Sequence, residues 1–133
     1  MAKTFTIGKT ERLKSRKLID QLFSSGRRFN AGPFRVSFAM GLGEGKMQFG
    51  VGAGTRNFKR AHDRNRIKRL TRESWRLANG PLKQQLAEQR QELNVFVLYT
   101  GKELPEYAAV ARHMTRIIDN LLRFSNEKNT LVP

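Results

Sequence analysis

Residues 56–76 read RNFKRAHDRNRIKRLTRESWR, and the rest of the chain is organised around this stretch. It holds nine Arg or Lys residues against two acids, Asp63 and Glu73. As a helix it places Ile67, Leu70, Ser74, Leu77 and Ala78 in one narrow apolar stripe. The opposite side then carries Asn65, Lys68, Arg69, Arg72 and Arg76, while Arg64, Arg66 and Trp75 flank the stripe. One face can therefore pack on a protein core while the other presents a dense row of cations.

The charge of this row indicates an anionic partner. Like charges three and four residues apart on a helix repel by roughly a few tenths of a kcal/mol per pair, and a bound polyanion would relieve that repulsion. The plainer interpretation is a solvated basic face without a partner. We favour a partner because Arg outnumbers Lys here and an Asn lies between two arginines. Guanidinium and amide groups suit phosphate oxygens and base edges.

The composition of the whole chain indicates the same class of partner. The formal net charge is +15, from 26 Lys and Arg against 11 Asp and Glu, so nucleic acid is the first candidate and an anionic membrane the second. The longest apolar run, Val95 to Tyr99, is too short to cross a bilayer, and the amino-terminal residues lack the apolar core of a signal peptide. We therefore expect no membrane partner. The chain has no cysteine, which fits the cytoplasmic location that we expect.

The length of 133 residues predicts a single domain, residues 1–133, with a core over about residues 10–124 and flexible ends. Alternating apolar residues predict strands at Phe34–Met40 and Met47–Ala53, joined as an antiparallel hairpin by a glycine-rich turn. The other elements predicted are a helix over 15–24 between Ser15 and Gly26, a basic connector over 27–33, the basic helix over 61–77, a short helix over 81–91, a strand over 94–100 and a last helix beginning near Pro105. This order, α-β-β-α-β-α, predicts an α+β sandwich with a three- or four-stranded sheet.

The polar side of the predicted hairpin is almost bare of side chains. It carries Ser37, Gln48 and one cation, Arg35, among several glycines. Glycines in strands often mark a place where a ligand or another backbone approaches closely. The approaching group could be RNA or another helix, and the spacing leaves both open. The GVGAGT run lacks the Gly-Lys-Ser/Thr that a phosphate-binding P-loop requires.

Residues with catalytic or metal-binding chemistry do not cluster in the sequence. The two histidines are His62 and His113, and a His beside an acid, as at His62-Asp63, is more often structural or solvated than an acid–base pair. The acids are scattered, without the spacing of His, Cys or carboxylate ligands that a metal site needs. We therefore expect a binding protein with no catalytic residue and no metal site of its own.

A family resemblance lies in the same basic stretch. The run Arg64-Asn65-Arg66-Ile67-Lys68-Arg69, within the wider match from Arg60 to Ser74, resembles the bacterial ribonuclease P protein subunit. Arg12-Leu13-Lys14 before the first helix and Gly101-Lys102 after the last strand are similar to it as well. The resemblance implies a two-layer sandwich with a left-handed βαβ crossover, against the usual right-handed rule. It also implies that the partner is a catalytic RNA, which removes the 5′ leader of precursor tRNA with the help of Mg²⁺. DNA is not expected as a partner.

The resemblance assigns site residues to two surfaces. Residues implied to bind the catalytic RNA are Arg60, Arg64, Asn65, Arg66, Lys68, Arg69, Arg72 and Arg76. Residues implied to form a cleft for the precursor-tRNA leader are Ile19, Phe23, Arg35, Ser37 and Arg56. Two positions depart from the family pattern. Ile19 stands where a second aromatic is frequent, and Thr55-Arg56 where a Lys pair is common.

Other functions remain as alternatives at this point. A ribosomal-type or general RNA-binding protein would share the charge and the sandwich. A DNA-binding regulator would want a compact helix-turn-helix, and two strands before the basic helix argue against it. A protein nuclease would normally need the carboxylate cluster that this sequence lacks.

Overall fold

The computed structural model describes residues 12–130 of the chain as four helices around one sheet. The elements in chain order are α1 (Arg16–Ser25), β1 (Arg27–Ala31), β2 (Phe34–Leu42), β3 (Met47–Ala53), α2 (Ala61–Ala78), α3 (Gly80–Glu88), β4 (Gln91–Tyr99) and α4 (Tyr107–Thr130). The amino-terminal end predicted to be flexible lies outside the described residues. At the other end, α4 continues to Thr130, past the core boundary predicted near residue 124.

The sheet order is β1-β2-β4-β3, so the predicted hairpin of β2 and β3 is wrong. β4 lies between them, antiparallel to β2 and parallel to β3. The glycine-rich turn does not join paired strands. Instead it holds the start of β4, because Gly43 N–H donates to the Arg90 carbonyl at 3.0 Å and Gly45 N–H to the Gln91 carbonyl at 2.9 Å. Two adjacent alternating strands and a glycine turn are typical of a hairpin, and sequence alone does not show that a third strand separates them.

The basic connector predicted over residues 27–33 is also wrong, because Arg27–Ala31 form the edge strand β1. β1 pairs antiparallel with β2 through a tight turn at Gly32-Pro33, where Gly32 has a φ of 57°. The strand was missed because an edge strand with few apolar residues carries little periodic signal. Its two exposed arginines are the kind of charge that protects a sheet edge from pairing with another chain.

β3 and β4 are parallel neighbours joined through α2 and α3, which is the βαβ unit that the resemblance implied. Its left-handed sense stays a prediction. α2 and α4 pack on one face of the sheet, where Trp75 stacks on Phe49 with ring centroids 4.3 Å apart. α1 lies on the other face, where Phe23 meets Phe96 edge to face. The predicted ends of α1 are confirmed, because Ser15 Oγ accepts from Leu18 N–H and the helix stops at Gly26.

The buried stripe of α2 consists of Ile67, Thr71, Ser74 and Trp75. It is rotated from the predicted stripe, because Trp75 is 1% exposed whereas Leu77 is 55% exposed. The two hydroxyls can be buried because they bond within the helix: Thr71 Oγ1 donates to the Ile67 carbonyl at 2.7 Å, and Ser74 Oγ to the Thr71 carbonyl at 2.9 Å. This stripe fixes which side of α2 faces solvent.

Candidate nucleic-acid interface

Opposite the buried stripe, α2 presents Asn65, Arg69, Arg72 and Arg76 along one line. Because they are spaced by four, three and four residues, these side chains form a row along one side of the helix, about 16 Å long. Lys68 and Arg66 lie on either side of the line. We call these six residues the basic ridge: Asn65, Arg66, Lys68, Arg69, Arg72 and Arg76. The structure thus gathers six of the eight residues predicted to bind the catalytic RNA onto one face of α2.

Arg64 and Arg60, the other two predicted RNA contacts, lie apart from the ridge. Arg64 begins the buried side of α2, one turn before Ile67, and is half-buried. Its Nη1 donates to the carbonyls of Phe58 and Lys59, at 2.8 Å each. Arg60 is the exposed N-cap residue of α2. The helix spacing had placed Arg64 beside the apolar stripe, and the family resemblance had grouped it with the RNA contacts. Its bonds to the preceding loop could not be read from the sequence.

The predicted leader cleft opens between α1 and the sheet. It encloses about 200 Å³, and Ile19, Gly50 and Phe96 line its apolar part. Phe23 is 39% exposed and packs edge to face against Phe96, with ring centroids 5.3 Å apart. Phe96 is therefore a second aromatic residue of the cleft, and it stands beside the position where Ile19 departs from the family pattern. Phe96 was not predicted from the sequence, although its place between Val95 and Val97 in β4 indicates that it lies on the opposite face of the sheet from them.

The glycines of β3 make room for the ring of Phe96 on the neighbouring strand. A Cβ on Gly50 would lie 2.8 Å from the Phe96 ring and 3.2 Å from the Leu13 carbonyl. A Cβ on Gly52 would lie 3.0 Å from the same ring. At these two glycines the close neighbour is therefore a side chain of the adjacent strand and, at Gly50, also the segment before α1. A helix, α1, covers the part of the same face that β2 and β4 form, and RNA at this face stays a prediction.

Replacing Gly50 by Ala is expected to lower the free energy of unfolding by about 1–3 kcal/mol, because Phe96 and the Leu13 backbone must both shift. Urea unfolding followed by the fluorescence of the single tryptophan, the buried Trp75, measures the change. The matched control is Gly54→Ala, since a Cβ at that position would have no described atom within 4 Å. Equal stability of the two variants would contradict the close packing at Gly50.

The cationic residues predicted for the cleft lie at one end of the sheet. Arg35 is exposed on β2, and its partner in the register is Leu98 of β4, which also pairs with Gly52 of β3. Arg56 is exposed in the loop that follows β3. Since the register aligns these strand ends, both arginines lie at the same end of the sheet. Neither is among the residues that line the cleft.

Ser37 does not reach the surface of the cleft. Its side chain is buried, and its hydroxyl has no hydrogen-bond partner among the described residues. Arg28 of β1 is its neighbour in the register and is exposed. The direct contact of Ser37 with a leader that the resemblance implied is therefore not available in this structure. Arg28, which the sequence analysis placed in a connector, presents a cation beside that position instead.

Arg72 joins the ridge to the cleft. It lies on the ridge line of α2, and it also lines the cleft together with Arg12 and Lys14. The pKa of Arg72 is lowered from its usual value, first by burial and then by the charge of Arg12. Both effects disfavour the guanidinium cation, so an anion bound between these residues would be stabilised. The charged residues in the lining of the cleft are these three cations.

The two histidines lie on different helices, α2 and α4. His62 is exposed in the first turn of α2. His113 packs beneath the turn at Gly32 and against the Phe34 ring, and burial, Arg116 and Arg112 lower its pKa, in that order. Over residues 12–130 no three His, Cys, Asp or Glu residues come together as metal ligands, and no helix has both the length and the apolarity to span a membrane.

Relatives of the chain share this arrangement of sequence and fold. The sequence matches the family model for ribonuclease P over residues 7–122. It is 34% identical over 116 residues to the ribonuclease P protein component of Porphyromonas gingivalis strain W83, a match that covers 85% of this chain and 84% of that protein. A shorter match of 61% identity over 38 residues covers 29% of this chain and 32% of the ribonuclease P protein component of Klebsiella pneumoniae strain 342. In fold, the chain is similar to the RNase P protein of Staphylococcus aureus, with a TM-score of 0.63 and 14% identity, over 84% of this chain and 95% of that one.

Proposed function

Because the chain belongs to the ribonuclease P protein family, we propose that it binds both the catalytic RNA of ribonuclease P and the 5′ leader of precursor tRNA. The basic ridge contacts the catalytic RNA, and the cleft beside α1 holds the single-stranded leader. The RNA, with its own Mg²⁺, carries out the cleavage. The protein supplies binding and orientation, and no residue of it takes part in breaking the bond.

The observation that carries this proposal is the position of Arg72, which belongs to both surfaces. A catalytic RNA on the ridge and a leader in the cleft would lie side by side, so one polypeptide could bind both at the same time. Linking two contacts in this way raises the affinity for a substrate that makes both of them. Mature tRNA has lost its leader, so it contacts only the catalytic RNA and is released more easily.

The chemistry of each surface supports the division between them. The ridge offers guanidinium, ammonium and amide groups on one face of α2. These groups suit the phosphates of a folded RNA, whose helices are recognised mostly by shape and backbone. The cleft instead offers the rings of Phe23 and Phe96, which pack edge to face, beside the cations Arg12, Lys14 and Arg72. Aromatic platforms with nearby positive charge are typical of sites for single strands, where the bases can stack.

Phe23→Ala is expected to weaken the binding of precursor tRNA to the reconstituted holoenzyme about tenfold, and to leave the binding of mature tRNA unchanged. Loss of one stacked base costs about 1–3 kcal/mol, and mature tRNA has no base to place there. Equilibrium binding of both tRNAs in Ca²⁺, in which cleavage is slow, measures the difference. The matched control is Tyr107→Ala, since Tyr107 is 37% exposed and lies on α4, across the sheet. An equal loss for both tRNAs would contradict the assignment of the cleft to the leader.

Reconstitution with the RNA subunit tests the function as a whole. Cleavage of precursor tRNA at low Mg²⁺ is expected to require the RNA and to be accelerated by the protein. A general RNA-binding protein of ribosomal type would accelerate the cleavage no more than other basic proteins do. Cleavage by the purified polypeptide without RNA would overturn the assignment of the chemistry to the RNA.

A further inference from the structure

The loop between β3 and α2, residues 54–60, carries three cations into solvent. Arg56, Lys59 and Arg60 are all exposed, and they precede the amino-terminal end of α2, the helix that carries the ridge. Exposed cations on a free loop would lose conformational entropy on binding. Their contribution to an interface therefore depends on what holds the loop in place.

Two polar side chains and one ring tie this loop down. Arg64 donates from Nη1 to the carbonyls of Phe58 and Lys59, at 2.8 Å each. Asn57 Nδ2 donates to the carbonyls of Thr100 and Gly101, at 3.3 and 3.2 Å. The ring of Phe58 is 7% exposed and packs against Tyr99. The loop is thus fixed to the end of β4 on one side and to α2 on the other.

Arg64 is the link between the loop and the helix that carries the ridge. The N-cap residue, Arg60, makes no side-chain capping bond to α2 within the described part of the chain. A guanidinium is always charged and only donates, so it matches carbonyl oxygens, which only accept. Bonds with a charged donor are about twice as strong as neutral ones. The bond to the Phe58 carbonyl is partly buried, which limits competition by water, and the bond to the Lys59 carbonyl is exposed.

We infer that Arg64 is a positioning residue: it clamps the loop of residues 54–60 so that Arg56, Lys59 and Arg60 are held in line with the basic ridge. It acts through these three cations and not through a phosphate of its own. The inference rests on the proposed function in one respect, that the loop cations bind RNA. The clamp itself is a property of the protein without RNA, and it can be tested there.

The first test uses the protein alone. The loop contains tryptic sites at Arg56, Lys59 and Arg60, and Arg64→Ala is expected to raise the initial rate of cleavage at these three bonds about tenfold, because the loop opens more often. Mass spectrometry of the early fragments measures the rate at each bond. The matched control is Arg69→Ala, which removes the same charge from the exposed ridge and is expected to leave these rates unchanged. Trp75 fluorescence verifies that both variants are folded, and Arg64→Lys replaces Arg64→Ala if the latter is not.

The second test measures affinity for the ribonuclease P RNA over a range of salt concentrations. Removing one phosphate contact lowers the slope of log affinity against log salt by about one, which is the result expected for Arg69→Ala. Arg64→Ala is expected to lower the slope further, since three loop cations lose their positions. A faster loop cleavage with unchanged RNA affinity for both variants would support the clamp and contradict the proposed RNA surface. Unchanged loop cleavage together with a slope lowered by one would show Arg64 to be a direct contact and overturn the inference.

Discussion

Reversing the charge of Arg66 and Arg69 together to Glu is expected to lower the affinity for the ribonuclease P RNA about a hundredfold at moderate salt. Both side chains are exposed on the outer surface of α2, so their replacement does not disturb the core. Each reversal removes an attraction to phosphate and adds a repulsion, worth about tenfold per residue. The loss should shrink as salt rises, because screening weakens the interactions of exposed charges. Filter binding or fluorescence anisotropy over a salt series measures both effects.

The control for this experiment must change the net charge equally. Lys46→Glu with Arg90→Glu does so, since both residues are exposed in turns away from the middle of α2. This pair is expected to reduce the affinity far less, because only the long-range field of the protein changes. If both double variants lost affinity to the same extent, the net charge and not the ridge would account for binding.

Trp75→Ala is expected to lower the free energy of unfolding by about 3–5 kcal/mol. Trp75 is 1% exposed and stacks on the Phe49 ring at an interplanar angle of 12°, so its removal leaves a cavity between α2 and the sheet. Since total stabilities of small domains are about 5–15 kcal/mol, the variant should be close to unfolding at physiological temperature. Urea unfolding followed by far-ultraviolet circular dichroism measures the loss, because the variant has no tryptophan left to report it.

Leu77→Ala provides the comparison within the same helix. The apolar stripe predicted from sequence included Leu77, whereas the structure leaves it 55% exposed. Its replacement is expected to change the free energy of unfolding by no more than about 0.5 kcal/mol. A large loss for Leu77→Ala and a small one for Trp75→Ala would mean that α2 is rotated about its axis relative to the sheet, and that the ridge faces another direction.

The sheet shows where local pattern stops being informative. The alternation of Phe34–Met40 and Met47–Ala53 correctly predicted two strands, because side chains on opposite faces of a strand meet different environments. It did not predict that β4 would lie between them. Strand order depends on contacts between residues that are far apart in the chain. The β2–β3 turn has the composition of a hairpin turn whether or not the two strands that it connects are paired.

The cleft was predicted in outline and corrected in detail. Ile19 and Phe23 could be placed there from the family resemblance, and both lie beside Phe96 in the structure. Ser37 was placed there as well, but it is covered. Which member of an alternating face stays exposed depends on how far α1 extends over the sheet, and no short-range pattern contains that information.

The sequence by itself determined the charge of this protein, the helix that carries most of that charge, and the family to which it belongs. These properties follow from residue types and from spacings within one segment, which a linear chain displays directly. Only the tertiary structure decided that Arg64 binds the neighbouring loop, that Phe96 fills the space above the glycines of β3, and that Arg72 belongs to both surfaces. Each of these depends on the packing of segments distant in sequence, where the shape and hydrogen-bonding of the neighbour decide the role of a side chain.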